Sequence, residues 1–371
     1  MATAAEAFLR AATSGRHALA DDPWVGLVLG RGWDGDVSEP GGPLGWAPLL
    51  YVTHSCFAPV ALAASLLERG ADPNASFENE YGSMSALYGA AGVVHSPEMT
   101  RLLLEAGADP NDGESVYHSV EASAPDCLAL LLAHGGDPSD GLGHALDFDR
   151  LEPVRMLLAA GADAADVLGH AVRRGRGPEV IRLLVASGAS LDRPAGETWR
   201  PDAPLRTPYQ HAVLRGMSDV AATLESLGAS TDVAPEDLAV ASLASMPDSP
   251  DYDQQEAVIL AALHGRVDAV VGLVGAAFEG VVGGSPRGTL LHFAAWEGSA
   301  AVVQRLLELG ADPVARSPAE YSTPLAWCYL GSSGDPGRDD VAVARMLLDA
   351  GAVYEERFAE VAGGPLASLT P

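Results

Sequence analysis

Apolar residues in this chain come in short groups, and the groups close on one recurring phrase. Two or three leucine-like residues are followed by two variable ones and then by Gly-Ala-Asp-Pro or a variant. The first copy is Leu66-Leu67-Glu68-Arg69-Gly70-Ala71-Asp72-Pro73-Asn74. Others run from Leu103 to Asn111, Leu131 to Ser139, Leu157 to Ala165, Leu183 to Asp192, Leu224 to Asp232, Leu306 to Val314 and Leu347 to Glu355. The apolar pair predicts the buried end of a helix. The glycine, as at 70, 107, 161 and 310, predicts a left-handed residue that closes it. A phrase repeated in this way predicts a stack of similar units, because each unit can bury its apolar face only against its neighbours.

The fullest unit runs from Thr289 to Pro313. It begins Thr289-Leu290-Leu291-His292-Phe293-Ala294-Ala295-Trp296-Glu297-Gly298 and continues through Ala301 to Leu309 and Gly310-Ala311-Asp312-Pro313. Its first segment, about eight residues and 12 Å, is too short to be stable alone. Two alanines let a second helix approach closely, and Gly298 separates the pair. This unit strongly resembles the ankyrin repeat. Partial copies of its start are Ala47-Pro48-Leu49, Ser85-Ala86-Leu87-Tyr88, Thr207-Pro208-Tyr209-Gln210 and Thr323-Pro324-Leu325. The resemblance implies an all-α solenoid of about nine helix-pair units across residues 1–371, each able to carry a projecting hairpin. From about Pro235 onward the chain looks like a bacterial ankyrin subgroup. That likeness rests on Leu291 to Gly298, on Glu320-Tyr321-Ser322-Thr323-Pro324-Leu325-Ala326-Trp327 and on the insertion from Gly331 to Asp340.

The spacing refines the picture. The closing glycines stand at 70, 107, 135, 161, 188, 228, 310 and 351, so the intervals are 37, 28, 26, 27, 40, 82 and 41. An ordinary ankyrin unit takes about 33 residues. The three short intervals predict nearly bare helix pairs, with short or absent hairpins around 112–116, 139–141 and 164–166. The interval of 82 hides a degenerate repeat in 233–283, from Glu256-Ala257-Val258-Ile259-Leu260-Ala261-Ala262-Leu263-His264-Gly265 and Val267 to Ala277. An extra helix over Pro235 to Met246 and a loop over Pro247 to Asp253 precede it. Residues 1–45 read as a degenerate N-terminal cap, and 284–371 as the C-terminal repeats and their cap.

Charge narrows the function. The net charge is −28 and the pI about 4.5, which argues against nucleic-acid binding through a basic face and favours basic protein partners or simple solubility. All 22 basic residues are arginine. Lysine chemistry, whether Schiff-base, pyridoxal or phosphate-loop, is therefore excluded. Cys56, Cys127 and Cys328 fall in different repeats, as expected of reduced thiols in a cytoplasmic protein. The first ten residues do not form a secretory signal, and no uninterrupted apolar run is long enough to span a membrane. The sequon Asn74-Ala75-Ser76 is then expected to be unused.

Three features compete as sites. Gly30-Arg31-Gly32-Trp33-Asp34-Gly35 imitates a dinucleotide fingerprint, but Ser38-Glu39-Pro40-Gly41-Gly42-Pro43 follows where a helix should open, so it reads as a turn. His118, His144, His170 and His211 occupy equivalent places in their units. Helices spaced about 8–10 Å apart would stack such rings without converging on one ion. A hydrogen-bonded structural ladder is therefore favoured over a metal site or pH sensor, and no metal or cofactor is expected. The two residues after Ala-Ala, which by resemblance face the groove, include Glu121-Ala122, Asp147-Phe148, Arg173-Arg174, Leu214-Arg215 and Trp296-Glu297.

Residues 173–215 hold eight arginines and four acids, a local +4 against −32 for the rest. Arginine forks suit carboxylate or phosphate, though local salt bridges would also account for them. The favoured reading is a protein-interaction scaffold, with the partner against Arg173, Arg174, Arg215, Trp199, Trp296, Glu297 and Phe148. The alternative is an enzyme or a binder of a small anionic ligand using the same groove. The only cluster that invites inspection for catalysis is His292, Trp296, Glu297 and Glu320.

Overall fold

The computed structural model describes residues 22–354, apart from 80, 149, 196–203, 276–281, 284–287, 318–321 and 332–337, together with Leu366. Chain contacts divide it into two compact units, Met1–Ser190 and Leu191–Pro371.

The first unit is a succession of short helix pairs. After α1 (Pro23–Val28) come α2 (Pro48–Thr53) with α3 (Val60–Glu68), and α4 (Ala86–Tyr88), extended by a wide turn through Val93, with α5 (Pro97–Glu105). Then follow α6 (Ser115–Ser119) with α7 (Asp126–Ala133), α8 (Ser139–Ala145) with α9 (Leu151–Ala159), and α10 (Leu168–Arg173) with α11 (Pro178–Ala186). Local chemistry starts these helices. Ser96 caps α5 by accepting the Met99 amide at 3.3 Å, and Pro97 pre-sets the first turn. The leucines of the repeated phrase are the core: Leu66, Leu103, Leu131, Leu157 and Leu184 are fully buried. Burying one such side chain contributes about 2 kcal/mol.

All eight closing glycines take the left-handed conformation, with φ between 92° and 103°. Strands β1 (Ser76–Asn79) and β2 (Gly82–Ser85) form a hairpin, pairing Ser76 with Ser85 and Phe77 with Met84. It lies inside the 37-residue interval. In the short intervals the chain passes from the closing phrase almost directly into the next helix: α8 begins at Ser139, one residue after Pro138.

Asparagines stitch successive loops. The Asn74 amide donates to the Gly107 carbonyl at 3.1 Å and accepts from the Asp109 amide at 2.8 Å. Asn111 repeats both bonds to Gly135 and Asp137, at 3.1 and 2.8 Å. One unit on, Ser139 keeps only the acceptor, toward the Asp163 amide at 3.3 Å.

The second unit contains α12 (Pro208–Leu214) with α13 (Ser218–Ser226), then α14 (Pro235–Ala241), α15 (Tyr252–Ala261) and α16 (Val267–Val274). The short pair β3 (Val282–Gly283) and β4 (Gly288–Thr289) leads into α17 (Leu290–Trp296) with α18 (Ala300–Glu308), and α19 (Pro324–Gly331) with α20 (Asp340–Asp349). Thr207 with Gln210, and Asp251 with Gln254, are reciprocal caps of α12 and α15. Helix α14 covers the first part of the stretch Pro235 to Met246 and ends at Ala241, with α15 and α16 following it.

The stretch Tyr252–Val274 is 23 residues long and apolar enough, by length and composition, to cross a membrane. It is not one straight helix. His264 and Gly265 leave helical geometry, Gly265 with φ of 83°, and divide it into α15 and α16. The core of this unit gathers Val258, Val270, Leu291, Val303, Leu325 and Leu347.

Candidate functional site

The first helices of three successive repeats in the first unit, α6, α8 and α10, each carry one histidine near their C-terminal end. Three residues on stand Glu121 and Asp147, just past their helices, and Arg173, the last residue of α10. Histidine and carboxylate separated by three residues lie on one helix face, and the structure joins them across repeats. Glu121 Oε1 lies 2.5 Å from Nδ1 of its own repeat's His118 and 2.9 Å from Nε2 of His144 in the next. His144 Nδ1 meets Asp147 Oδ2 at 3.0 Å. The other Asp147 oxygen receives His170 Nε2 at 2.9 Å and Arg174 Nε at 2.7 Å. Glu114 Oε2 completes the near end, 3.2 Å from His118 Nε2. The result is one chain of alternating donors and acceptors from Glu114 to Arg174.

Aromatic rings wall this ladder. Tyr117 stacks flat on His144, with centroids 4.0 Å apart and planes 6° from parallel. Tyr88 sets its ring edge-on to His118 at 5.2 Å, and Phe148 does the same to His144 at 5.1 Å. Tyr117 is 38% exposed, so the stripe presents an aromatic face to solvent.

The electrostatics follow from these contacts. Burial opposes ionisation of Glu121, but the bonds from His118 and His144 outweigh it and hold the carboxyl at about 2. Burial likewise opposes a charge on His144, yet Asp147 and Glu121, one on each ring nitrogen, push it up to about 9. Asp147 is held well below the usual carboxylate range by His144, His170 and Arg174, against the cost of its burial.

The ladder corrects the expected ring geometry. The His118 and His144 centroids are 5.8 Å apart, closer than the helix spacing suggested, because the side chains lean toward the shared Glu121. The ligand atoms of His118, Glu121 and His144 all lie within 4.8 Å of one another. His211 does not extend the series: it is fully buried in the second unit, where its Nε2 meets the Ala195 carbonyl at 3.1 Å.

The remaining expected site residues are dispersed. Arg173, Arg174 and Phe148 belong to the first unit, and Arg215, Trp296 and Glu297 to the second. Trp199 lies outside the described residues. Arg215 was expected on an exposed patch. Instead it is buried, with its guanidinium 2.8 Å from Glu256. Arg206, another of the eight clustered arginines, is also internal. It meets Asp237 at 2.7 Å, Asp251 at 2.6 Å and Asp253 at 3.0 Å, and Gln254 donates to Asp237 at 2.8 Å. These aspartates raise the Arg206 pKa further, against the cost of burial.

Of the cluster inspected for catalysis, three members are described. His292 is buried, closing the cap of α17 with Thr289 and meeting the Ser322 carbonyl at 3.0 Å. Burial pushes its pKa down. Trp296 and Glu297 point to solvent, and Glu320 lies outside the described residues. A cleft of about 230 Å³ between α9 and α11 is lined by Phe148, Arg150, Arg176 and Glu179. Its arginines are engaged by backbone: Arg150 donates to the Ala122 carbonyl at 2.6 Å and Arg176 to the Arg174 carbonyl at 2.6 Å. Gly30 to Gly35 form no phosphate cradle. The helix α1 precedes them, a loop follows, and Arg69 holds that loop through the carbonyls of Trp33 and Gly35, at 2.5 and 2.6 Å.

His54, which with Ser55 aligns with the groove-facing pairs, is buried instead. His54 Nδ1 faces the Leu50 carbonyl at 3.0 Å, while its Nε2 meets no hydrogen-bond partner among the described residues. Burial lowers its pKa to about 4. A Cβ added to Gly89 would sit 2.4 Å from the ring, so that position admits only glycine.

Helix pairs closed by left-handed glycines make this a helical repeat array. Residues 288–318 match the family model of the ankyrin repeat. No curated protein matches the chain. Among solved structures, the human ASB11 ankyrin repeat domain is similar at 19% identity, over 83% of this chain and 99% of that one, with a TM-score of 0.28. Ankyrin repeats are generally protein-interaction modules.

Proposed function

We propose that this chain is a protein-interaction scaffold whose partner lies along the first-helix ends of the first unit. The observation that carries this reading is the stripe itself: half-exposed Tyr117 and Phe148 stand beside Glu121 and Asp147, which hold equivalent places in successive repeats, and beside Arg174. Large aromatic side chains and arginine dominate binding energy at interfaces, and already-fixed rings lose little entropy when a partner docks. Arg174, with its side chain 54% exposed, supplies the basic end of the stripe, where a carboxylate or phosphate of the partner would pair. Trp296 and Glu297, exposed at the end of α17, are the corresponding contact in the second unit. The three cysteines are unbridged, which supports action in the cytoplasm.

The test is recovery of partners from the native organism by the wild-type chain, followed by affinity measurement. Tyr117→Ala combined with Arg174→Ala should weaken binding at least about tenfold, whereas Arg305→Ala, on the outer face of α18, should not. A partner that binds the double variant as tightly as wild type would show that the stripe is not the site.

A further inference from the structure

We infer that His118, Glu121 and His144 form a binding site for one divalent transition-metal ion of the zinc class. The inference goes beyond the scaffold reading and does not depend on it. Two imidazole nitrogens and one carboxylate oxygen already point at each other. His118 Nδ1 and His144 Nε2 approach the same Glu121 oxygen at 2.5 and 2.9 Å, and all three donor atoms fit within 4.8 Å. Ligands about 2.0–2.1 Å from a tetrahedral zinc stand roughly 3.3 Å apart. An ion replacing the bridging hydrogens needs each ring nitrogen to draw back from the Glu121 oxygen by less than about 1 Å and the two nitrogens, within 4.8 Å of each other, to settle at the same spacing, which side-chain rotation supplies.

A second and independent observation concerns the far nitrogen of each ring. His118 Nε2 is held by Glu114 at 3.2 Å and His144 Nδ1 by Asp147 at 3.0 Å. A carboxylate on the non-coordinating nitrogen is the arrangement that fixes the tautomer and orientation of a metal-binding histidine. Tyr117 and Tyr88 clamp the same two rings. With both imidazoles neutral, Glu114, Glu121, Asp147 and Arg174 sum to a charge of about −2, matched to a dication. Two imidazoles in the set favour zinc, copper or nickel over magnesium and calcium. His118 and Glu121 come from one repeat and His144 from the next, so the ion would tie neighbouring repeats. Three protein ligands leave a coordination position open to water. Glu121 and His118 keep 32% and 27% side-chain exposure, which gives the ion a path in.

The full-length chain, stripped with chelator and dialysed against zinc, is the material for the test. Bound zinc is measured by elemental analysis, and cobalt is followed by its visible d–d bands. Wild type should hold one ion per chain. Glu121→Gln, which keeps the shape, and His144→Ala should each weaken binding by about ten- to a hundredfold, and Asp147→Asn by about tenfold. His134→Ala, exposed at the end of α7, should bind as wild type. Circular dichroism of each variant verifies its fold, and Glu121→Gln remains informative if His144→Ala unfolds. Absence of a stoichiometric ion in wild type, or equal zinc affinity in Glu121→Gln, overturns the site.

Discussion

The two units carry equal numbers of acids and arginines, 25 and 11 each, yet use them in opposite ways. In the first unit the charges that join repeats form a half-exposed ladder of histidines and carboxylates, one rung per repeat. In the second, one arginine is buried among three aspartates where a repeat has degenerated. The difference lies in what must be held. Regular repeats spaced 26 to 28 residues apart already bury their leucines against each other, so their polar contacts can remain wet. The extra helix α14 and the cap of α15 have no such regular partner, and Arg206 fastens both to the start of α12. Net charge therefore says little about architecture, whereas the burial of individual charges says much.

This contrast sets a scale of effects. The largest should come from Arg206→Met. Removing the cation leaves Asp237, Asp251 and Asp253 buried together, and breaking one side of a buried ionic cluster costs about 3–5 kcal/mol. Urea unfolding should show the loss, and hydrogen exchange should place it in α14 and α15, with α6 to α11 unaffected. Protection lost equally in both units would break the distinction.

Acid gives the next effect, in the first unit. The folded pKa of His54 is about 4 against about 6.5 unfolded. Between those values the unfolded chain binds a proton that the buried ring refuses. The stability contributed by neutral His54 is therefore present above about pH 6.5 and lost as pH falls through 4, by at most about 3 kcal/mol. His54→Gln should flatten that limb of the stability–pH curve, measured with chelator present. An unchanged slope would mean that another group drives acid sensitivity.

The smallest effect should come from the ladder. Asp147→Asn leaves a partly exposed site that water can satisfy, so it should cost about 1 kcal/mol. A loss as large as that of Arg206→Met would erase the comparison.

Much of the array was legible in the sequence. The Gly-Ala-Asp phrase and its variants locate eight closing turns among the described residues, because a left-handed residue after an apolar pair has few alternatives to glycine; α16, capped by Gly275, closes without it. The intervals anticipate the bare pairs after Gly107, Gly135 and Gly161 and the extra helix after Pro235. The site was legible only in part. Equivalence of His118, His144 and His170 follows from alignment, but the rungs were missed although His-x-x-Glu and His-x-x-Asp stand in plain sight at 118–121 and 144–147. Side-chain lean, and not the spacing of helix axes alone, sets the ring distance. Arg215 and Arg206 show the opposite limit. Local composition counts charges, but their burial depends on Glu256 and on aspartates 31 to 47 residues away.

The asparagine stitches have a consequence for how such a chain can change over generations. Asn74 and Asn111 grip the following Gly-Ala-Asp loop by the same two bonds, although one spans an interval of 37 residues and the other 28. The joint is indifferent to whatever is inserted between its halves. A hairpin can be deleted, or a unit duplicated, without altering the seam that receives it. Where the asparagine has drifted to Ser139, half of the seam is gone and the leucines beneath carry the junction. Length variation among these repeats therefore falls where the seam itself need not change.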